Sequence, residues 1–342
     1  MRDIARASPR INEIAIMSMP APRRLIVQRR TPAGARSVAF DLQAADGDGL
    51  PPWTPGSHIE LILPLADGDA VRPYSLCAET FDGPIWRIAV LRETQSRGGS
   101  AYLCDQVRVG DTLLARGPNN HFAFAPSPRV RLLAGGIGIT PLLGMARTCI
   151  AQGRDWYLTY MARNAADMNM AHDIEQLPKS RVDLYFSGEK GRLDLREWVR
   201  GLDSQDSVYA CGPMRLLDDM ELLRTQIIAE RPSRDHWRLH LERFANPNLR
   251  IGESDEFEVV LARSNRRLRI GKGETILAAL KRAGIDAPNS CCEGVCGTCE
   301  QAVLAGIPDH RDAVLSDSER QQGKYMMICV SRALSSSITL DL

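Results

Sequence analysis

Four cysteines near the end of the chain constrain this sequence more than any other feature. Cys291 and Cys296 are separated by four residues, Cys296 and Cys299 by two, and Cys299 and Cys329 by twenty-nine. This C-x4-C-x2-C…C spacing is typical of a plant-type [2Fe–2S] cluster, in which four thiolates converge on one small inorganic core. The spacing therefore predicts that Cys291, Cys296, Cys299 and Cys329 ligate a metal cluster.

Other uses of these cysteines fit the sequence less well. A zinc ribbon needs a second Cys-x2-Cys pair, whereas Cys329 stands alone. Disulfides are not expected among nine cysteines in a chain that shows no export signal. Cys292 directly follows Cys291, but only Cys291 gives the four-residue gap. We therefore interpret Cys292 as a neighbour of the cluster and not as a ligand.

Composition narrows the remaining possibilities. The chain has 342 residues, which suggests two or three domains, and a formal net charge of +1 with Lys and Arg spread along it. It has neither a basic stripe for nucleic acid nor an apolar run of the ~20 residues that span a bilayer. Residues 1–22 are charged and do not form a secretory signal. We expect a flexible N-terminal extension there and a cytoplasmic protein.

The first third of the chain has a β pattern. Short alternating runs such as Ser37–Leu42, His58–Leu63 and Trp86–Leu91 are separated by turn sequences such as Asp46–Gly49. Many short strands at this spacing predict a sandwich or barrel of antiparallel strands, which we place at residues 23–127.

Two short motifs lie within this β region. Arg72–Leu76 puts a cation, an aromatic face and a hydroxyl on one extended segment, a combination suited to a flat heteroaromatic ring with a phosphate. Arg97–Ser100 supplies backbone amides, a guanidinium and a hydroxyl before a helix, as a phosphate site requires. On physical grounds alone, each motif is more often an ordinary strand or turn.

An α/β pattern occupies residues 128–244. The apolar strand Val130–Ala134 leads into the loop Gly135–Pro141 and then a helical stretch, so free amides are presented to a diphosphate. The loop is not G-x-G-x-x-G, because Thr140 and Pro141 stand where the third glycine would be. The alternation predicts a parallel sheet with helices on both faces. Further strands are expected at 156–161, 182–186 and 207–211, and helices at 167–176, 193–201 and 214–228.

The last of these strands ends in Cys211-Gly212-Pro213. Ligands of parallel sheets bind beyond the carboxyl ends of the strands, so we expect Gly138 and Cys211 to face one crevice. A small buried residue is the alternative role for Cys211, and the sequence alone favours it.

The C-terminal region combines a closing strand, a linker and a third domain. The strand is expected at 237–244 and a polar linker at 245–254. A hairpin over 256–270 with its turn at Asn265, followed by a helix over 275–283, precedes the cysteine loop. Hairpin, helix and loop together resemble a β-grasp ferredoxin at residues 255–342.

The motifs and their order resemble a known family. Arg72–Leu76 with Arg97–Ser100 is similar to the flavin-binding barrel of the ferredoxin–NADP reductase superfamily, and Gly135–Pro141 with Cys211–Pro213 to its pyridine-nucleotide domain. The order of flavin barrel, nucleotide domain and C-terminal ferredoxin resembles the phthalate dioxygenase reductase family. Ser96 departs from the glycine often found there.

This resemblance implies the cofactors and their contacts. It implies FMN with its phosphate near Arg72 and Ser100, and NADH with its diphosphate on the glycine loop. The implied cofactor-binding residues are Arg72, Pro73, Tyr74, Ser75, Leu76, Ala89, Val90, Arg97, Gly98, Gly99, Ser100, Gly135, Gly136, Gly138, Ile139, Thr140, Pro141, Cys211, Gly212, Pro213 and Phe244.

The resemblance also implies a function. Hydride from NADH would reduce FMN across a gap lined by Ser75 and Cys211, and single electrons would pass through the [2Fe–2S] cluster to a terminal Rieske-type oxygenase. A monomer is expected, without nucleic-acid or membrane partners. The preference for NADH over NADPH is implied by the family alone. Arg163, after the second strand of the nucleotide domain, is placed where it could meet the 2′-phosphate of NADPH. The alternatives are a reductase for a cytochrome P450 and a redox-sensing regulatory protein.

Overall fold

The computed structural model describes residues 21–66, 68–125, 127–230, 236–246, 249, 255–315 and 317–342. These residues form three successive sheets, of which the first is antiparallel. Six strands form this sheet in the order β4-β3-β6-β1-β2-β5. They are β1 (Arg23–Gly34), β2 (Ser37–Ala44), β3 (Ser57–Leu65), β4 (Gly68–Ser75), β5 (Trp86–Leu91) and β6 (Thr112–Asn120).

The two outer strands of this sheet meet and make it a barrel. Directly after β4, the Cys77 backbone N–H donates to the Arg87 carbonyl on β5 over 2.9 Å. Phe40, Leu61 and Ile88 are fully buried inside, because alternate residues of each strand point inward. Helix α1 (Gly99–Asp105) packs against the barrel core through the buried Leu103 and Cys104. The predicted antiparallel β-barrel is thus confirmed.

The second sheet is entirely parallel. Its strands are β7 (Arg129–Gly135), β8 (Asp155–Ala162), β9 (Val182–Phe186), β10 (Asp206–Cys211) and β11 (Arg238–Glu242), in the order β11-β10-β7-β8-β9. Its helices are α2 (Ile139–Ala151), α3 (Ala171–Glu175), α4 (Ser187–Lys190), α5 (Leu195–Trp198) and α6 (Met214–Glu230). Separate apolar clusters cover its two faces, so successive residues are apolar where both faces are covered, as in Leu132–Ala134 of β7 and Val208–Ala210 of β10. The α/β prediction is confirmed.

Two predicted helices of this region are shorter than expected. Instead of one helix over 167–176, the chain makes a 3-10 turn at Ala165–Asp167 and then the short α3. Met170 adopts φ 55°, a left-handed conformation that interrupts a helix. The pattern over 193–201 yields only α5, which Asp194 caps and which ends before Gly201 at φ 89°.

The third sheet is mixed and carries a helix, as in a β-grasp fold. Its strands are β12 (Phe257–Leu261), β13 (Arg266–Ile270), β14 (Glu300–Ala305), β16 (Tyr325–Met327) and β18 (Ser337–Leu340), in the order β13-β12-β18-β14-β16. β15 (Pro308–Asp309) and β17 (Arg332–Ala333) form a small ladder beside it, and the helices are α7 (Ile276–Arg282) and α8 (Asp317–Gln322). Asn265 lies in the hairpin turn with φ 51°, and Thr275 caps α7 through the Ala278 N–H.

Some predictions fall where the structure gives no description. The predicted extension at 1–22 lies outside the described residues up to residue 20, and most of the predicted linker at 245–254 lies outside them too. The proposed domain limits therefore remain predictions. Among the helices that the structure describes, none is long and apolar enough to cross a membrane.

Candidate functional site

A cavity of about 480 Å³ lies where the barrel, the parallel sheet and the cysteine loop meet. All three regions contribute to its lining, including Tyr74 from the barrel, Thr140 from helix α2 of the parallel-sheet region and Cys296 from the cysteine loop. The predicted cofactor-binding residues that line it are Arg72, Pro73, Tyr74, Ser75, Ala89, Arg97, Gly99, Ser100, Thr140 and Phe244. Motifs far apart in the sequence therefore border one space.

The barrel side of the cavity presents an aromatic wall and a hydroxyl. Tyr74 and Ser75 are the last residues of β4, and burial raises the pKa of the Tyr74 phenol, which stays neutral. Leu76 and Val90 also belong to the predicted set, but their side chains are buried in the barrel core. Any contact they make with a ligand comes from the main chain. The wall suits a flat ring system.

The turn before α1 brings two arginines to the same end of the cavity. Gly98 has φ 88°, and a Cβ on Gly99 would lie 3.0 Å from Cγ of Arg72, so a larger residue would displace that side chain. Ser96, which departs from the family pattern, accepts a hydrogen bond from Ser100 Oγ over 3.0 Å. Its hydroxyl also accepts the Ala101 N–H at 3.3 Å, so Ser96 helps to order this turn.

On the parallel-sheet side, the glycine loop packs directly on the Cys-Gly-Pro segment. A Cβ on Gly138 would lie 2.2 Å from the Cys211 carbonyl oxygen, and one on Gly135 would lie 2.5 Å from Pro213 Cδ. Gly138 and Cys211 thus meet at the carboxyl end of the sheet, which is where parallel sheets bind their ligands. Gly136 has φ 56°, and a Cβ there would meet only Asn169 Nδ2, at 3.8 Å.

Cys211 itself is fully buried, and it is not among the residues that line the cavity. Burial raises the pKa of its thiol well above the usual value, so the group stays neutral. Ile139 is likewise buried at the start of α2. The Cys211 side chain therefore supports the loop that borders the cavity, and its predicted place beside the nicotinamide stays a prediction.

Sequence reasoning missed a carboxyl group in the cavity wall. Glu242 ends the edge strand β11, and its Oε2 is enclosed without a hydrogen-bond partner. Burial raises the pKa of Glu242 to about 8, so this carboxyl is mostly protonated at neutral pH. Its position at the carboxyl end of a parallel strand was the available signal.

Two histidines between the cavity and the cysteine loop were also missed. The rings of His58 and His121 lie 5.7 Å apart, and both line the cavity. Burial lowers the pKa of His58 to about 4, with His121 adding to the effect, so the ring is neutral. His121 Nδ1 lies 3.0 Å from the position that a Cβ on Gly297 would take. Gly297, inside the cysteine motif, thus permits close packing against the barrel.

The four predicted cysteine ligands converge without forming disulfides. Cys291, Cys296, Cys299 and Cys329 are all at most 4% exposed, and all are free thiols. The Cys296 and Cys329 thiols both lie within hydrogen-bonding reach of the Cys291 sulfur, and this contact lowers the pKa of Cys291 and raises the pKa of its two partners. Cys292 is exposed.

The surroundings of these thiols fit an iron–sulfur cluster. The Glu293 backbone N–H donates to Cys291 Sγ over 3.3 Å, and such amide–sulfur hydrogen bonds tune cluster potentials. Among the described residues, no group of three or more His, Cys, Asp or Glu side chains is arranged to hold a single metal ion. A [2Fe–2S] cluster spreads four thiolates over two irons and does not require that arrangement. The role of the four cysteines as ligands stays a prediction.

Two family models match the chain and define its class. Residues 132–221 match an oxidoreductase NAD-binding domain, and residues 259–334 match a 2Fe-2S iron-sulfur cluster binding domain. Together with the barrel, these domains define an oxidoreductase with a nucleotide-binding module and an iron–sulfur module.

Similar proteins identify the family. The chain is 43% identical over 307 residues to the phenoxybenzoate dioxygenase subunit beta of Ectopseudomonas oleovorans, covering 89% of this chain and 92% of that protein. It is 39% identical over 312 residues to the carnitine monooxygenase reductase subunit of Escherichia coli (strain K12), covering 89% and 93%. This chain belongs to the family of reductase subunits of multicomponent oxygenases, as predicted.

Solved structures agree with this assignment. Phthalate dioxygenase reductase, described as a modular structure for electron transfer from pyridine nucleotides to [2Fe-2S], matches with a TM-score of 0.65 and 32% identity, over 94% of this chain and 98% of that one. An intact type IV self-sufficient cytochrome P450 monooxygenase matches with a TM-score of 0.80 and 36% identity, over 94% of this chain and 41% of that one.

Proposed function

We propose that this protein is the reductase component of a Rieske-type oxygenase system. It takes hydride from NADH onto FMN and delivers single electrons through its [2Fe–2S] cluster to the terminal oxygenase. The observation that carries the proposal is that Cys296, a predicted cluster ligand, lines the same cavity as Tyr74, Ser75 and Thr140. A cluster held there borders the space that the flavin and nicotinamide motifs share.

The barrel residues would bind and orient the flavin. A flavin bound in the cavity supplies the change from a two-electron donor to a one-electron outlet. Arg72 and Arg97 provide positive charge for its phosphate, because both guanidinium groups border one end of the cavity. Tyr74 would shield the bound flavin ring from solvent, and the Ser75 hydroxyl would offer it a hydrogen bond at the cavity surface.

The loop after β7 would hold the nucleotide. Its amides and the first turn of α2 face the carboxyl end of the sheet, where a diphosphate is stabilised by N–H groups. Thr140 Oγ1 donates to the Ile137 carbonyl over 3.0 Å and fixes the turn. The fully buried Cys211 sets the position of this loop through the close packing of Gly138 on its carbonyl.

Replacing one predicted ligand tests the order of electron transfer. We expect Cys296→Ser to abolish the cluster and to reduce NADH-dependent cytochrome c reduction by more than ~100-fold, because loss of a ligand exceeds the 10–100-fold effect typical of outer-shell changes. Anaerobic bleaching of the flavin by NADH should continue at the rate of the unaltered protein. Stopped-flow absorbance records both reactions in one preparation.

Cys292→Ser is the matched control for this experiment. Cys292 is the adjacent, exposed cysteine, so its replacement should leave cytochrome c reduction unchanged. Loss of flavin bleaching in Cys296→Ser contradicts the proposed order. Loss of the cluster in Cys292→Ser contradicts the ligand assignment.

A haem protein is the second candidate acceptor. The match to a self-sufficient cytochrome P450 monooxygenase covers 94% of this chain, which supports a haem acceptor as well as a Rieske centre. NADH oxidation coupled to each purified acceptor in turn distinguishes the two. We further propose that the working unit is a cytoplasmic monomer, which analytical ultracentrifugation and cell fractionation test.

A further inference from the structure

A carboxylate of the cysteine loop lies at the arginine-rich end of the cavity. Glu293 Oε1 is 2.5 Å from Arg97 Nη1, and Glu293 Oε2 accepts from Arg97 Nη2 over 2.8 Å. The same Oε1 lies 3.9 Å from Arg72 Nη1. The Glu293 side chain is only 14% exposed, and it lines the cavity together with both arginines. The pairing is bidentate, the strong form of an arginine–carboxylate contact.

The main chain of Glu293 is held as firmly as its side chain. Its N–H donates to Cys291 Sγ, and its carbonyl accepts from Asn246 Nδ2 over 2.8 Å. Asn246 also donates to the Arg311 carbonyl over 2.6 Å, so it links the two segments around the cysteines. The Glu293 carboxylate is therefore presented to Arg97 by a fixed backbone.

Arg97 is also one of the two cations that the proposed function assigns to the flavin phosphate. A phosphate and a carboxylate are both anions that arginine binds through paired N–H groups, and they repel one another at close range. Both terminal nitrogens of Arg97 already contact Glu293, so a phosphate that binds Arg97 has to share that guanidinium with the carboxylate. The binding of either one then depends on the charge of the other.

We propose that Glu293 competes with the flavin phosphate for Arg97, and that this residue of the cysteine loop sets how tightly the barrel holds FMN. The proposal rests on the proposed function, because it needs FMN in the cavity. It assigns Glu293 a positioning role, since its carboxylate acts on the flavin through Arg97.

The test compares two flavins on the full-length, flavin-depleted protein. FMN carries the phosphate and riboflavin does not, so the ratio of their dissociation constants isolates the phosphate contact. Glu293→Gln keeps the shape of the side chain and removes its charge. We expect it to tighten FMN binding about three- to tenfold while riboflavin binding stays unchanged, as expected for one partly solvated charge contact. Flavin fluorescence quenching measures both constants.

Two further variants make the result decisive. Arg97→Gln should weaken FMN binding without affecting riboflavin. Glu258→Gln makes the same substitution at a surface ion pair with Arg267, away from the cavity, and should change neither constant. Retention of the cluster absorbance in Glu293→Gln verifies that the loop is intact, and Glu293→Ala repeats the test if that absorbance is lost.

The outcomes separate this inference from the proposed function. If Arg97→Gln weakens FMN binding but both Glu293 variants leave the FMN-to-riboflavin ratio unchanged, the competition is wrong and the flavin site stands. If Arg97→Gln also leaves the ratio unchanged, the phosphate does not use Arg97: the competition fails, and the predicted phosphate site is left to Arg72 and Ser100.

Discussion

The barrel meets the rest of the chain at two joints of different character. The barrel–sheet joint connects it to the parallel sheet, and the barrel–loop joint connects it to the cysteine loop. At the barrel–sheet joint, barrel residues such as Cys77 and Phe122 share one buried apolar cluster with Leu132 and Tyr209. At the barrel–loop joint, the third sheet keeps a separate apolar core whose described members all come from residues 249–342.

Charged groups are also used differently at the two joints. At the barrel–sheet joint, Arg147 donates to the Cys77 carbonyl over 2.8 Å and to Asp173 over 2.8 Å. Arg87 lies 3.5 Å from the same aspartate, whose side chain is 9% exposed. The barrel–loop joint uses an ion pair between the exposed Arg97 and Glu293, and a hydrogen bond from Thr298 to Glu60.

This difference matches what each joint has to do. Hydride transfer needs its two partners held in one fixed geometry, which a continuous apolar core and buried ions provide. An electron outlet needs proximity to the flavin but also access to a partner protein, and polar contacts allow the module to remain separately folded. The two joints should therefore respond very differently to substitution.

The largest effect is expected at the barrel–sheet joint. Asp173→Ala leaves Arg147 and Arg87 without their shared carboxylate in a largely buried place, so we expect the free energy of unfolding of the barrel and parallel sheet to fall by about 3 kcal/mol. Urea unfolding followed by far-UV circular dichroism measures it. The visible absorbance of the cluster, recorded in parallel, should be lost at the same urea concentration as in the unaltered protein.

Asp105→Ala is the control for this substitution. Asp105 pairs with Arg92, and both side chains are nearly half exposed, so removing the contact should cost far less stability than Asp173→Ala does. Equal losses in the two variants, or a matching shift in the cluster signal after Asp173→Ala, contradict the distinction between the joints.

A smaller effect is expected from the ionisation of Glu242 in the cavity wall, which should make the free energy of unfolding depend on pH. Burial raises the pKa of this carboxyl from 4.5 to about 8, so the folded protein keeps a proton that the unfolded chain releases. The stabilising effect is complete below pH 4.5 and is lost as pH rises towards 8. We expect about 2 kcal/mol across this interval, about half of the full linkage value because the side chain borders the cavity.

Glu242→Gln isolates this effect. The neutral isostere removes the titrating group, so it should flatten the fall in unfolding free energy between pH 4.5 and pH 8 and raise stability at pH 8. Urea midpoints at a series of pH values measure both. If the unfolding free energy of the variant falls with pH as steeply as that of the unaltered protein, then Glu242 is ionised in the folded protein and water reaches it in the cavity wall.

Sequence patterns predicted the parts of this molecule that local physics determines. The strand Val130–Ala134 is apolar at every position but Arg131, because apolar clusters cover both faces of the parallel sheet. The spacing of Cys291, Cys296 and Cys299 likewise reflects one loop that curls round one centre. Both predictions depend on residues close together in the chain.

The barrel–loop joint had no comparable signal. Arg97 and Glu293 are 196 positions apart, and Glu60 and Thr298 are 238 apart, so no periodicity connects them. The raised pKa of Glu242 arises from burial that only the assembled structure creates. Motifs identified which residues take part in the site, whereas the contacts that join the modules depend on tertiary packing.

The smallest effect is expected at the barrel–loop joint. Thr298 Oγ1 donates to the fully buried Glu60 over 3.3 Å, and Glu60 also accepts from Asn119 Nδ2 at 3.2 Å. Thr298→Val keeps the shape and removes one of these donors, so we expect the cluster module to lose about 1 kcal/mol of unfolding free energy. The urea midpoint of the cluster absorbance measures the loss, and Thr339→Val on β18 is the control. A loss as large as that of Asp173→Ala, or one that also moves the unfolding of the parallel sheet, means that the two joints form one cooperative unit.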